Sequence, residues 1–253
     1  MSLKIIILAG GKGTRITPVI GNTPKFLASV AGKPFLEWFL LWIKNWKLEV
    51  DFKILISTCV GHSQIKDYCL KKNYDIKCIK EEKPLGTFGA IANVASRDYS
   101  KNYLVLNGDT IFKADFKMIF NSFLNQPKNL PLLILKESLT NERYGGYKKT
   151  NDGWIFSSET SKYISMGAFF TSYESIKKRW LKKTSLDFHP IAINQQSLGE
   201  LMIDRDCFGE DPIQAVTLKN TIPFLDIGIP SSYNESQTYI PKLLSEMNCN
   251  DKL

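Results

Sequence analysis

Lys4-Ile5-Ile6-Ile7-Leu8-Ala9-Gly10-Gly11-Lys12-Gly13-Thr14-Arg15 is the stretch that decides the fold. Its first half is an almost unbroken apolar run that stops at glycines. That is the pattern of a parallel strand buried on both faces, not of an alternating strand with one wet face. Downstream, Phe35, Trp38, Phe39, Trp42, Ile43 and Trp46 recur at three- and four-residue steps, the stripe of a helix packed on a sheet. Three tryptophans on one stripe could suggest a ligand platform, but core packing is the simpler reading. Residues 52–57 and 76–79 read as strands with a helix over 63–71 between them. A helix begins near Gly86, and a strand over 103–107 stops at Gly108-Asp109. This alternation predicts an α/β fold with an open, mostly parallel, Rossmann-like sheet flanked by helices. Ligands of such sheets bind beyond the carboxyl ends of the strands.

From Pro131 onward the pattern changes to strand, turn, strand over 132–136, 146–149, 154–157 and 166–170, with hairpin chemistry at Asn151-Asp152-Gly153. The later half therefore extends the sheet and supplies the wall for a second substrate. With 253 residues, 43% of them hydrophobic, and no Pro/Gly/Ser-rich linker, the chain reads as one domain. No apolar run approaches the ~20 residues that cross a bilayer, and the residues around Leu3–Leu8 are wrongly flanked for a secretory signal. A soluble, cytoplasmic protein with no membrane partner is expected. The five cysteines are odd in number and form no Cys-x-x-Cys pair, so free thiols are expected.

A net charge of +8 favours anions without naming one. Lys71, Lys72, Lys77 and Lys80 form one basic cluster, and residues 177–183 form another at helical spacing, which reads as a solvated helix face. No nucleic-acid-binding signature is present, so no nucleic-acid partner is expected.

The glycines after the first strand let backbone N–H groups approach a polyphosphate closely, and Arg15 with Lys25, in Thr23-Pro24-Lys25, supplies fixed positive charge. A P-loop requires Gly-Lys followed by Ser or Thr, whereas Lys12 precedes Gly13 and Lys33 precedes Pro34. A dinucleotide fingerprint requires a third glycine where Ile16 stands. A plain glycine turn would account for the glycines but not for Arg15 and Lys25. Asp109 and Asp226 are two carboxylates that the fold can bring together on a hard cation such as Mg²⁺, the alternative for Asp109 being a turn cap.

Gly10-Gly11-x-Gly-Thr-Arg, Thr23-Pro24-Lys25, Gly32-Lys33-Pro34, residues 81–90, Asn107-Gly108-Asp109, Arg143-Tyr144-Gly145 and residues 223–230 together resemble the signature of the sugar-1-phosphate nucleotidyltransferases, in order and over nearly the whole chain. Within that family Pro84-Leu85-Gly86-Thr87 and Asp226-Ile227-Gly228-Ile229-Pro230 resemble the guanylyltransferases, particularly those acting on D-glycero-D-manno-heptose 1-phosphate. The resemblance implies a GT-A-like nucleotidyltransferase architecture, with residues 1 to about 125 as the nucleotide half and 126 to about 240 as the sugar-phosphate half. It implies GTP, or another NTP, and a sugar 1-phosphate as partners, Mg²⁺ as cofactor, and leaves room for a homo-oligomer.

Residue by residue, the resemblance assigns catalysis to Arg15 and Lys25 and metal binding to Asp109 and Asp226. Nucleoside and phosphate binding falls to Leu8, Gly10, Gly11, Gly13, Thr14, Glu81, Pro84, Gly86, Thr87, Asn107 and Gly108. The resemblance also implies that residues 84–89 face the nucleobase, where Glu81 or Glu82 could accept from guanine N1–H and the 2-amino group together, a pattern adenine and cytosine cannot return, while uracil or thymine could satisfy one carboxylate oxygen; the alternative for the pair is a solvated acidic surface. Tyr144, Gly145 and Glu159 fall at sugar-contacting positions. The family places Lys directly after that Glu, whereas Thr160 stands here, so either Lys162, Arg179 or Arg205 meets the sugar phosphate or the acceptor differs. A cytidylyl- or uridylyltransferase, or a silent nucleotide-sugar sensor, remain the alternatives, and His62 and His189 fit no motif.

Overall fold

The computed structural model describes residues 2–126, 130–138, 146–157, 161–184, 186–195 and 213–249. The chain opens with β1 (Leu3–Leu8), a short α1 (Thr17–Ile20), a 3₁₀ turn at Lys25–Leu27, the small pair β2 (Ser29–Val30) and β3 (Lys33–Pro34), and α2 (Phe35–Lys44). Next come β4 (Phe52–Thr58), α3 (His62–Lys71), β5 (Ile76–Lys80), α4 (Gly86–Arg97), β6 (Asn102–Asn107), β7 (Thr110–Phe112) and α5 (Phe116–Leu124). The later half contributes β8 (Leu132–Glu137), β9 (Gly146–Thr150), β10 (Gly153–Ser157), β11 (Tyr163–Ser172), α6 (Tyr173–Thr184), α7 (Pro190–Gln195), β12 (Gln214–Leu218), β13 (Phe224–Asp226) and α8 (Pro230–Cys249).

One nine-stranded sheet runs β10-β9-β11-β6-β1-β4-β5, with β8 on β11 and β12 on β8. β1 lies parallel between β4 and β6, and β4 is parallel to β5, as the βαβα order requires. The chain builds outward from β1 through β4 to β5, then crosses back to place β6 on the other side of β1. A crevice opens at such a switch point beyond the carboxyl ends of the strands. The later half joins antiparallel, with β11 against β6 and β8, and β9 paired with β10 across the expected turn at Asn151-Asp152. The sheet is thus parallel in its first half and mixed in its second.

The apolar run of β1 is buried as its composition demands. Ile5 and Ile7 face a core shared with α2, α5 and α8, and Ile6 faces a second core under α4 and α6. Burying each such side chain stabilises by ~1.5–3 kcal/mol. The tryptophan stripe that runs along α2 and into the turn after it is core: Trp42 and Trp46 are buried and Trp42 Nε1 donates to the Phe112 carbonyl at 2.7 Å. The half-buried Trp38 donates to the Val30 carbonyl at 2.7 Å. Of the first basic cluster, Lys72 pairs with Glu37, Lys77 with Asp98 and Lys80 with Glu82. Among the described residues no helix is long and apolar enough to cross a membrane, and Cys59, Cys69 and Cys78 are free thiols.

Candidate active site

A cavity of about 290 Å³ opens at the switch point, lined by Leu8, Ala9, Gly10 and Gly11 after β1, by Asn107, Gly108 and Asp109 after β6, by Glu81, Pro84, Gly86, Thr87 and Ala90 around the start of α4, and by Lys25 and Phe26. Eleven of the residues singled out from sequence thus meet on one wall or another of a single crevice. Ala9, Phe26 and Ala90 complete the lining without having carried a motif of their own.

The floor is held by close backbone packing. Gly108 N–H donates to the Leu8 carbonyl at 2.9 Å, and a Cβ on Gly108 would stand 2.7 Å from that oxygen, so only glycine lets β1 and β6 approach this closely. α4 points its N-terminus at the cavity, with Gly86 at φ 69°. Orphan N–H groups and the helix dipole favour an anion there.

Lys25 is delivered by the 3₁₀ turn, and its Nζ lies 2.5 Å from Asp109 Oδ2 at the cavity rim. Burial pushes the Asp109 carboxyl up. The ammonium of Lys25, the Thr110 hydroxyl donating to Oδ1 at 2.9 Å, and the nearby charge of Arg15 outweigh it and hold the group below the ordinary carboxylate range. Arg15 itself is exposed, as is Thr14, and neither Gly13 nor Thr14 lines the cavity. Gly13 instead shapes the turn, at φ 61°.

Asp226 reaches the site through the ladder between β13 and β7. It lies opposite Thr110, and the next residue, Ile227, donates its N–H to the Asp109 carbonyl at 2.9 Å. Asp226 is buried and accepts from Gly228 N–H at 2.9 Å, behind the cavity wall and not on it. Asp109 in the turn that precedes β7 and Asp226 at the end of β13 offer the hard oxygen donors a divalent cation takes, the other ligands of such an ion being water and phosphate. Among the described residues no group of three or more His, Cys, Asp or Glu gathers as a metal site.

Of the acidic pair, Glu81 borders the cavity at 5% exposure, whereas Glu82 is turned outward to Lys80. Lys162 is exposed, pairs with Glu137 at 3.2 Å and does not line the cavity. Arg179 sits beside Phe88, Ile91 and Phe169, away from the crevice. Tyr144, Gly145, Glu159 and Arg205 lie outside the described residues. His62 hydrogen-bonds through Nδ1 with the Thr58 hydroxyl at 2.7 Å.

A glycine turn at a sheet switch point, flanked by a paired lysine and aspartate and by a helix N-terminus, is the architecture of an enzyme that handles nucleoside polyphosphates. The match is explicit: residues 4–240 fit the model of the nucleotidyl transferase family, and the chain belongs to that family. It is 29% identical to the D-glycero-alpha-D-manno-heptose 1-phosphate guanylyltransferase of Aneurinibacillus thermoaerophilus, over 93% of this chain and 97% of the relative. It is 28% identical to the enzyme of the same name from Campylobacter jejuni, over 91% and 97%. The crystal structure of HddC from Yersinia pseudotuberculosis complexed with GMP-PN superposes with a TM-score of 0.66 at 25% identity, covering 92% of this chain and 97% of that one.

Proposed function

We propose that the protein transfers the GMP moiety of GTP to a sugar 1-phosphate, D-glycero-D-manno-heptose 1-phosphate being the acceptor in the names of its relatives, and releases pyrophosphate. The observation that carries this reading is the Lys25–Asp109 contact at the rim of a crevice whose wall bears the Glu81 carboxylate. A phosphate oxygen of the sugar phosphate attacks the α-phosphorus, the bond from that phosphorus to the oxygen bridging to the β-phosphate breaks, and pyrophosphate departs with that oxygen. The attacking phosphate, with a second pKa of ~6, is anionic at neutral pH and needs no general base. Positioning and charge neutralisation are then the whole task.

Lys25 and Arg15 supply fixed positive charge to the triphosphate, Gly10, Gly11 and the N-terminus of α4 bring N–H groups to it, and Glu81 faces the base. Asp109 and Asp226 would hold Mg²⁺, which when bound neutralises phosphate charge. Support for the base comes from Glu81: an ionised carboxylate offers acceptors to the two adjacent donors of guanine. The reading is tested by pyrophosphate release with GTP, ATP, CTP and UTP against a panel of sugar 1-phosphates, with and without Mg²⁺, the nucleotide-sugar product identified by mass. GTP with the heptose phosphate is expected to be used best, by about tenfold or more, and equal use of UTP or CTP overturns the choice of base.

A further inference from the structure

Glu81 is buried at the edge of the crevice, and both of its oxygens are already held by the protein. The Ser57 hydroxyl donates to Oε1 at 2.9 Å, and the Leu85 N–H at the entrance to α4 donates to Oε2 at 3.1 Å. Gly10 closes the cradle, because a Cβ there would lie 2.7 Å from Oε1. Ser57 cannot drift: it has no exposed surface, it pairs with Leu8 in the β1–β4 ladder, and its carbonyl accepts from Ala9 N–H at 2.9 Å. A carboxylate has about four lone-pair sites. With one contact on each oxygen, each retains the capacity to accept another hydrogen bond from a ligand.

We propose that Ser57 is a specificity-determining positioning residue, whose hydroxyl fixes Glu81 so that both carboxylate oxygens accept from the N1–H and the 2-amino group of guanine. The inference rests on GTP being the donor. The protonation state matters to it. Burial pushes the Glu81 carboxyl above the ordinary carboxylate range, and the Leu85 amide and Ser57 hydroxyl are the groups that pull it back. Without Ser57 the acid form is reached more readily. A carboxylic acid presents a donor beside an acceptor, which complements the N3–H and O4 of uracil and not the paired donors of guanine. Ser57 thus acts on the choice of base and leaves the triphosphate contacts of Lys25 and Arg15 untouched.

The test compares kcat/KM for GTP, inosine triphosphate and UTP in the wild-type protein, Ser57→Ala and Ser57→Cys, with thermal melts of each. Inosine triphosphate keeps the N1–H and lacks the 2-amino group, so the ratio of GTP to inosine triphosphate reports the second contact. A hydrogen bond to an ionised group supports discrimination of about tenfold or more. The wild type should show that ratio, Ser57→Ala should lower it by about fivefold or more while UTP gains relative to GTP, and the near-isosteric Ser57→Cys, a weak donor, should fall between. If the wild type prefers UTP to GTP, the function proposed above fails. If GTP is preferred to UTP and the ratio of GTP to inosine triphosphate is unchanged in Ser57→Ala, the role of Ser57 is overturned while the function stands. Should Ser57→Ala fail to fold, Ser57→Cys decides the matter on the same ratio.

Discussion

At the scale of single residues, the side chain with the sharpest expected effect is Lys25. Its ammonium touches Asp109 and, with Arg15, keeps that carboxylate ionised against burial. Lys25→Ala should leave a folded protein whose kcat/KM is lower by ~10²–10³, the usual cost of deleting one preorganised charge contact. Steady-state kinetics beside a circular-dichroism melt checks it, and activity within tenfold of the wild type would remove Lys25 from the mechanism. Residues of this kind were legible in sequence because their types are unusual in their places. A lysine after Thr-Pro and an aspartate after Asn-Gly have no packing reason to be there. Glu81 and Glu82 could not be told apart from sequence, since the choice between them turns on which side chain the end of β5 directs inward. Ser57 carried no signal at all, because a serine closing a strand is ordinary until the glutamate it serves is seen 2.9 Å away.

At the scale of elements, the delivery of Lys25 depends on a contact between two turns. Gly61 ends the loop from β4 to α3 at φ 75°, and a Cβ there would lie 2.3 Å from Cγ of Pro24, the residue that introduces the 3₁₀ turn bearing Lys25. The proline ring cannot swing aside without moving its own backbone. Gly61→Ala should therefore destabilise by about 2 kcal/mol or more, from left-handed strain and overpacking together. It should also lower kcat/KM by displacing Lys25, whereas adding Pro24→Gly, which deletes the clashing atoms, should relieve the overpacking and leave the left-handed strain, read in a denaturant titration as a double variant less destabilised than the sum of the two single changes.

The elements legible in sequence were those with a local signal of their own: β1, α2, β4, α3, β5, the start of α4, β6, β8, the hairpin of β9 and β10, and the middle of β11. β12, β7 and β13 escaped because two are three-residue pieces and the third is specified by β8, about eighty residues earlier in the chain, with no repeating pattern of its own. Asp226 was nonetheless placed with Asp109, because the motif around it identified the residue even where the strand carrying it could not be recognised.

At the scale of the whole molecule, the candidate site lies at the carboxyl ends of the strands and part of the stability lies at the opposite ends, so the two can be perturbed separately. Asp98, which closes α4, accepts from Lys4 at the start of β1 and from Lys77 on β5 at 2.5 Å, tying a helix to two strands far from the crevice. Burial pushes its carboxyl up, but the two ammonium groups more than compensate and hold it below the ordinary value. A carboxyl whose folded pKa is depressed stabilises the fold above its unfolded pKa, about 3.9, and loses that contribution as pH falls through the folded value. Asp98→Asn should accordingly cost about 1–2 kcal/mol at pH 7, with most of the loss from Lys4, since Lys77 is over half exposed and screened. The gap between variant and wild type should stay constant down to about pH 4 and close below it, measured by denaturant midpoints at stepped pH. The kcat/KM of Asp98→Asn at pH 7 and 25 °C should equal that of the wild type, since no contact of Asp98 reaches the cavity. A variant equally destabilised at every pH would show that Asp98 acts through packing and not through its charge.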